Sequence, residues 1–183
     1  MSLLLLLSAA IVSPTFGQDC QLAVDTEDAV GRKLKETNTW QMAKDDHHWV
    51  TVRMIKRGDQ YEVGIFYSLE SLKEEALPRI NEGQELILKL DNDQLLKLPS
   101  TTKGRATASP QNSVKNDGKG LKLYRYKLEA FFLVSEEQLE VLSNALVKRI
   151  RLKYRQNGAD VHFDNDPHEK GQKALMALIP CIR

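Results

Sequence analysis

Histidine and aspartate, two common ligands of transition metals, are clustered at two places in this sequence. The first cluster is the run Asp45-Asp46-His47-His48, and the second comprises His162, Asp164, Asp166 and His168. Consecutive residues just before a strand point in different directions, and no distant third ligand accompanies the first run. In the second cluster we expect Asp166 to cap a helix. We therefore predict no metal site at either place.

Asp91-Asn92-Asp93 has the spacing of the oxygen ligands that begin a calcium-binding loop. The glycine and the distal glutamate of an EF-hand loop do not follow at their positions. We therefore predict a turn between two strands here, without a bound metal.

Hydrolysis requires a nucleophile, a base and an orienting acid, and no motif that assembles them is present. The sequence contains no Gly-x-Ser-x-Gly elbow, no His-Glu-x-x-His pair and no glycine-rich phosphate loop. We predict no catalytic residue, no cofactor, and a non-enzymatic binding or structural role. A small exported hydrolase with dispersed catalytic residues is the alternative, because a triad can form from residues far apart in the sequence.

The segment from Lys148 to Arg155 is the best candidate for a binding surface. Its side chains alternate between an apolar set, Ile150, Leu152 and Tyr154, and a basic set, Arg149, Arg151, Lys153 and Arg155. The functional interpretation is a cationic stripe that binds an anionic glycan or another exported protein. The alternative is a solvated outer face, or charge that protects the edge of a sheet from pairing with other chains.

The chain has two cysteines, Cys20 and Cys181, one near each end of the predicted mature protein. In an oxidising compartment such a pair predicts a disulfide bond. Two unpaired buried thiols are the alternative. A zinc site would need histidines at suitable spacing, and none lies beside either cysteine.

The N-terminal segment has the features of an export signal. An apolar run extends from Leu3 to Val12, too short for a membrane span of about 20 residues but sufficient for the core of a signal peptide. Thr15 and Gly17 are small residues suited to cleavage before Gln18. We predict a signal peptide over residues 1–17 and a periplasmic or secreted protein; a buried N-terminal helix is the alternative.

The composition is that of one soluble domain over residues 18–183. Of the 183 residues, 42% are hydrophobic and 28% charged, and the net charge is only +1. This balance argues against nucleic acid as an obligate partner. No second long apolar run occurs, so we predict no transmembrane anchor in the mature chain.

Alternating apolar residues predict three β-hairpins. One hairpin turns at Gly58-Asp59 and another at Asp91–Asp93. The third turns at Asn157-Gly158, the strongest turn signal in the chain, between a strand that starts at Leu146 and one that ends at Phe163. A long strand is predicted over Leu121–Val134. The Ser-, Thr- and Asn-rich segment from Lys103 to Gly120 predicts a loop.

Short helices complete the prediction. Ser135 and Gln138 have capping-box spacing before a helix that ends near Asn144, and residues 71–74 repeat that spacing. Asp166 and Pro167 should start a terminal helix that buries Ala174, Leu175 and Leu178. We predict a mainly β protein, with α+β as the broader class: an antiparallel β sandwich or partly open barrel with two or three short helices.

The run Val134-Ser135-Glu136-Glu137-Gln138-Leu139, with the basic strand Lys148–Leu152 after it, resembles small exported domains of unknown function from Bacteroidetes. The junction Phe16-Gly17-Gln18 is similar to export signals of that group. The resemblance covers about the last third of the chain. It implies a secreted β domain, and it implies no activity and no functional residues.

Overall fold

A computed structural model describes residues 22–27, 29–71, 76–116 and 119–183. The predicted signal peptide over residues 1–17 lies outside these ranges, as does Cys20. Most of the predicted capping box at residues 71–74 lies outside them as well. These three predictions therefore stay predictions.

Within the described ranges the chain forms eleven strands and three short α-helices. The strands are β1 (Leu22–Glu27), β2 (Lys33–Thr37), β3 (Trp40–Lys44), β4 (His48–Arg57), β5 (Gln60–Ser71), β6 (Glu85–Leu90), β7 (Leu95–Pro99), β8 (Arg105–Asn116), β9 (Lys119–Val134), β10 (Val147–Gln156) and β11 (Ala159–Asn165). The helices are α1 (Glu136–Asn144), α2 (Glu169–Gln172) and α3 (Ala174–Leu178), followed by a 3-10 turn, Ile179–Cys181.

These strands form two antiparallel sheets. The large sheet has the order β1-β2-β4-β5-β9-β8, with β3 also paired to β4, and the small sheet has the order β11-β10-β6-β7. The sheets do not close into a barrel. The predicted mainly β, antiparallel fold with a few short helices is confirmed, and so are the three predicted hairpins, β4–β5, β6–β7 and β10–β11.

One hydrophobic core is shared by the two sheets and the helices. It includes Val50, Val52, Val63 and Ile65 from the large sheet, Leu86, Leu88, Ile150 and Leu152 from the small sheet, and Leu139 and Leu175 from the helices. Because successive residues of a strand face opposite sides, the same alternation leaves the charged residues of β4 and β10 on the outer faces.

The β10–β11 hairpin turns at Asn157-Gly158, as predicted. Both residues have positive φ, 53° and 78°, which a type I′ turn requires and which asparagine and glycine adopt most readily. The turn sets the register of the hairpin, which places Arg155 opposite Asp160 and Arg151 opposite Asp164.

The prediction of a loop between Lys103 and Gly120 is wrong. Most of this segment is strand β8, which pairs with β9 from the pair Arg105 and Glu129 onward. β8 lies at the edge of the large sheet, where a strand pairs with one neighbouring strand only and one of its faces meets solvent. A polar sequence is therefore tolerated there. Ala106 packs against the core, but one small side chain makes the apolar alternation too weak to indicate a strand.

Helix α1 confirms its predicted cap. The Ser135 hydroxyl accepts a hydrogen bond from the backbone N–H of Gln138 at 3.1 Å, and the Gln138 side chain accepts one from the backbone N–H of Ser135 at 3.0 Å. This reciprocal pair satisfies two N–H groups that the first turn of a helix leaves unpaired.

The C-terminal segment departs from the single helix that was predicted to start at Asp166. α2 begins only after His168, which makes no side-chain cap hydrogen bond, and the chain breaks again at Lys173 before α3. Asp166 does not cap the helix, because the strand register brings Arg149 within 2.7 Å of its carboxylate. The predicted apolar face is confirmed, since it is buried: Ala174, Leu175 and Leu178.

Candidate functional site

The predicted basic face of β10 forms ion pairs with its neighbouring segments. Each of its four cations has a carboxylate within 4 Å, and the pairs are Arg149–Asp166, Arg151–Asp164, Lys153–Glu85 and Arg155–Asp160. The register explains this, because opposite charges at facing positions of adjacent strands attract. The face thus carries little net charge, and its binding of an anionic ligand stays a prediction.

Arg149 and Asp166 illustrate how these charges affect one another. The hydrogen bond from Arg149, together with the positive charge of that residue, lowers the pKa of Asp166 below its ordinary value of 3.8. Conversely, the hydrogen bond to Asp166 and its negative charge raise the pKa of Arg149. Both side chains are exposed, and their opposite charges compensate each other. The pair therefore attracts a distant charged ligand only weakly.

The C-terminal end of β10 differs, because a second cation faces Arg155 there. Arg79 and Arg155 exchange both backbone hydrogen bonds, with N–O distances of 2.8 Å, so they form a directly opposed pair whose side chains share one face. The Arg155 guanidinium is 3.3 Å from Asp160 and donates to the Gly158 carbonyl at 2.8 Å. Among the described residues, Arg79 has no carboxylate within ion-pair distance.

A similar pair of cations at the other end of β10 is compensated. Arg149 faces Lys89 across β10 and β6, but each has its own carboxylate: Asp166 for Arg149, and Asp93 for Lys89 at 2.8 Å. Unlike Arg149 and Lys89, Arg79 has no carboxylate partner in the described part of the chain.

A cavity of about 380 Å³ opens beside the two facing arginines, and we name it the arginine cavity. It is lined by Ala76, Leu77, Arg79, Asn81, Arg155, Gln156, Asn157 and Gly158. Among the described residues, this lining has no carboxylate but has two guanidinium groups and three side-chain amides. The Gln156 amide already forms a hydrogen bond within the protein, since it donates to the Ala76 carbonyl at 3.1 Å.

A second cavity, of about 570 Å³, lies where the chain passes from the small sheet to the large one, and we name it the corner cavity. It is lined by Arg57, Glu62, Thr101, Thr102, Lys103, Arg105, Glu129 and Phe131. In the described structure Arg57, Lys103 and Arg105 are exposed and have no ion-pair partner. The cavity therefore combines three available cations with two carboxylates and one aromatic ring.

Arg53 holds one of those carboxylates in place. Its guanidinium lies between the rings of Phe66 and Phe131, 4.8 and 5.6 Å from their centroids, and bridges Glu36 at 2.8 Å and Glu129 at 3.3 Å. This cation–π and ionic arrangement orders the outer face of the large sheet next to the corner cavity. The charge of Glu129 is thereby partly compensated from outside the cavity.

The first histidine–aspartate run forms a compact turn between β3 and β4. The Asp45 carboxylate accepts hydrogen bonds from the backbone N–H groups of His47 and His48, at 2.9 and 2.8 Å, and lies 2.8 Å from Nδ1 of His48. Partial burial raises the pKa of Asp45, but these hydrogen bonds outweigh it and lower the pKa. The His48 ring stacks on Tyr67, with 5.8 Å between centroids.

The second histidine–aspartate cluster does not converge. Asp164 and Asp166 bind arginines of β10, whereas Nδ1 of His168 lies 3.1 Å from the carbonyl oxygen of Met42. Within the described ranges, no group of three or more His, Cys, Asp or Glu side chains is arranged to hold a metal ion.

Sequence reasoning missed both arginines that matter most here. Arg53 could have been found, because it is a charged residue at an outward position of a strongly alternating strand. Arg79 gives no such signal, because it lies outside any strand pattern and meets Arg155 through one isolated backbone pairing.

Comparison with protein-family models, with curated proteins and with solved structures finds no match to this chain. In the part of the chain that the structure describes, no helix is long and apolar enough to cross a membrane.

Proposed function

We propose that this chain is an exported, non-enzymatic domain that binds an anionic glycan, and that the arginine cavity receives an acidic group of that ligand. The observation that carries the proposal is the facing pair Arg79 and Arg155, since Arg79 has no carboxylate partner in the described structure. The side-chain amides of Asn81 and Asn157 in the same lining offer further hydrogen bonds to oxygen atoms of a sugar.

The electrostatics of the facing pair support an anionic ligand. Like charges directly opposite each other on paired strands destabilise the pairing, and an oxyanion placed between them would offset that cost. A guanidinium also matches a carboxylate or phosphate with two parallel hydrogen bonds. The volume of about 380 Å³ lies within the range of pockets that bind small ligands.

Calorimetric titration with three sugars that have the same ring but different charge tests the proposal: glucose, glucuronate and glucose 6-phosphate. We expect both anionic sugars to bind and glucose not to bind measurably. Arg79→Ala should weaken binding about tenfold or more, because it removes a charge-assisted hydrogen bond. The two anionic sugars separate a preference for carboxylate from a preference for phosphate.

A matched control keeps this experiment interpretable. Lys170→Ala removes one positive charge from outside the cavity lining, and it should leave binding unchanged. Arg79→Ala should not lower the melting temperature of the free protein, because it relieves repulsion with Arg155. Equal affinity of glucose and glucuronate, or an undiminished affinity in Arg79→Ala, would refute the proposed site.

Export is tested separately from binding. The protein expressed with its own N-terminus should be recovered outside the cytoplasm of a bacterial host, with an intact mass that corresponds to a chain beginning at Gln18. Retention in the cytoplasm at full mass would contradict the exported state, whatever the sugar titrations give.

A small exported hydrolase is the second candidate, and the Asp45–His48 pair is the observation that favours it. A carboxylate on Nδ1 of a histidine is the arrangement that orients the base of a catalytic triad. Among the described residues, however, the hydrogen bonds of the His48 ring go only to Asp45. Hydrolysis of a nitrophenyl ester panel that disappears in His48→Gln would favour this candidate over a binding domain.

A further inference from the structure

The arginine cavity and the corner cavity are neighbours in the structure. The backbone N–H of Gly104 donates to the carbonyl of Ile80 at 2.8 Å, and this contact joins the two segments that border the cavities. Arg79 and Asn81, the two sequence neighbours of Ile80, line the arginine cavity. Lys103, the residue before Gly104, lines the corner cavity. The segments that carry Arg79 and Lys103 are therefore hydrogen-bonded neighbours.

The balance of charge across both cavities is positive. The described structure leaves Arg57, Lys103 and Arg105 without a carboxylate partner in the corner cavity, as it leaves Arg79 in the arginine cavity. Among the carboxylates of the corner cavity, Glu129 is held by Arg53, whereas no described cation pairs with Glu62. Uncompensated cations thus continue from one cavity into the next, with Glu62 as the opposing charge.

We propose that the ligand is an extended acidic polysaccharide whose successive charged groups occupy both cavities. This inference rests on the proposed function, because it names the ligand that the arginine cavity would share with its neighbour. A ligand that occupies both cavities binds more tightly than one that occupies a single cavity. Once its first charged group is bound, the second binds within the same complex and at a high effective concentration. The charged groups are carboxylates or phosphate or sulfate esters, all of which are recognised by guanidinium and ammonium donors.

A length series of a defined polyuronate tests the inference. Galacturonate, its tetramer and its octamer are titrated into the full mature protein, with neutral maltose oligomers of equal length as controls. We expect the octamer to bind at least about tenfold more tightly than the monomer, and the neutral oligomers not to bind. Added salt should weaken the octamer more than the monomer, because it screens more contacts. A phosphate polymer in a parallel titration identifies which oxyanion is preferred.

Variants of the corner cavity give effects of opposite sign. Lys103→Ala should weaken the octamer about fivefold to tenfold and leave the monomer unchanged, because the monomer occupies only the arginine cavity. Glu62→Gln should strengthen the octamer, because it removes the opposing charge. Lys170→Ala, outside both cavities, should change neither.

The outcomes separate this inference from the function on which it rests. If glucuronate binds in an Arg79-dependent manner but chain length and Lys103→Ala have no effect, the two-cavity inference is wrong and the single site stands. If no anionic sugar binds at any length, both fail. If the phosphate polymer binds with the same dependence on Lys103 and polyuronate does not, the charged groups of the ligand are phosphates and a polyuronate is excluded.

Discussion

Arg149 and Asp166 are joined by a hydrogen bond of 2.7 Å from Nε to a carboxylate oxygen, which ties β10 to the segment leading into α2. In the sequence, Asp166 followed by Pro167 predicts the start of a helix. The strand register brings Asp166 next to Arg149 instead, and this contact lowers the pKa of the Asp166 carboxyl.

The Arg149–Asp166 contact should change the acid titration of the Asp166 carboxyl. Arg149→Met should raise the pKa of Asp166 toward its ordinary value of 3.8, because the variant removes the hydrogen bond and the charge that lower it. A carboxyl whose pKa is lower in the folded state stabilises the protein above its unfolded pKa, and this contribution disappears as the pH falls through the folded pKa. Titration by NMR of the Asp166 side-chain carbon measures the shift. Lys170→Met is the control, and an unchanged Asp166 titration in Arg149→Met would contradict the prediction.

The two faces of β10 should respond differently to truncation. Leu152 is fully buried, so Leu152→Ala should reduce the free energy of unfolding by about 2 to 5 kcal/mol. Arg151 is partly exposed and bound to Asp164, so Arg151→Ala should cost well under about 1 kcal/mol. Urea denaturation of the two variants measures both changes. Equal losses would mean that the register of β10 differs from the one described, since a shift by one residue exchanges the faces.

Gly171 should tolerate no side chain. A Cβ atom there would lie 1.9 Å from the carbonyl oxygen of Met42 in β3, which is backbone and cannot move aside without displacing α2. We expect Gly171→Ala to reduce the free energy of unfolding by about 1 to 3 kcal/mol, the usual range for overpacking. Lys170→Ala, at an exposed neighbouring position of α2, should be close to neutral. Comparable stability of the two variants would show that α2 does not pack on Met42 in solution.

The predicted bond between Cys20 and Cys181 can be tested by mass. The exported protein is alkylated with and without prior reduction, and we expect both thiols to be modified only after reduction. On the chain-entropy model, closing so long a loop stabilises the fold by roughly 4 to 5 kcal/mol. The double variant Cys20→Ser/Cys181→Ser should therefore melt at a lower temperature. Alkylation of both cysteines without reductant would exclude the bond.

The sequence predicts the elements whose signals are local. The alternation of β4, β5 and β10, the Asn157-Gly158 turn and the capping box at Ser135 each lie within a few neighbouring residues. Backbone sterics, side-chain alternation and one reciprocal hydrogen bond are sufficient to specify them. The antiparallel, mainly β class follows from the same signals, because hairpins bring consecutive strands together.

Tertiary structure decided everything that depends on distant neighbours. β8 is a strand because β9 offers it a row of backbone hydrogen bonds, which no composition of Ser, Thr and Asn reveals in advance. Asp166 binds Arg149 because of the register of a hairpin, and Arg79 faces Arg155 because one irregular segment meets the end of β10. Burial, ion pairing and cavity formation depend on which chain segments pack together, and a linear pattern carries that information only where the partners are close in sequence.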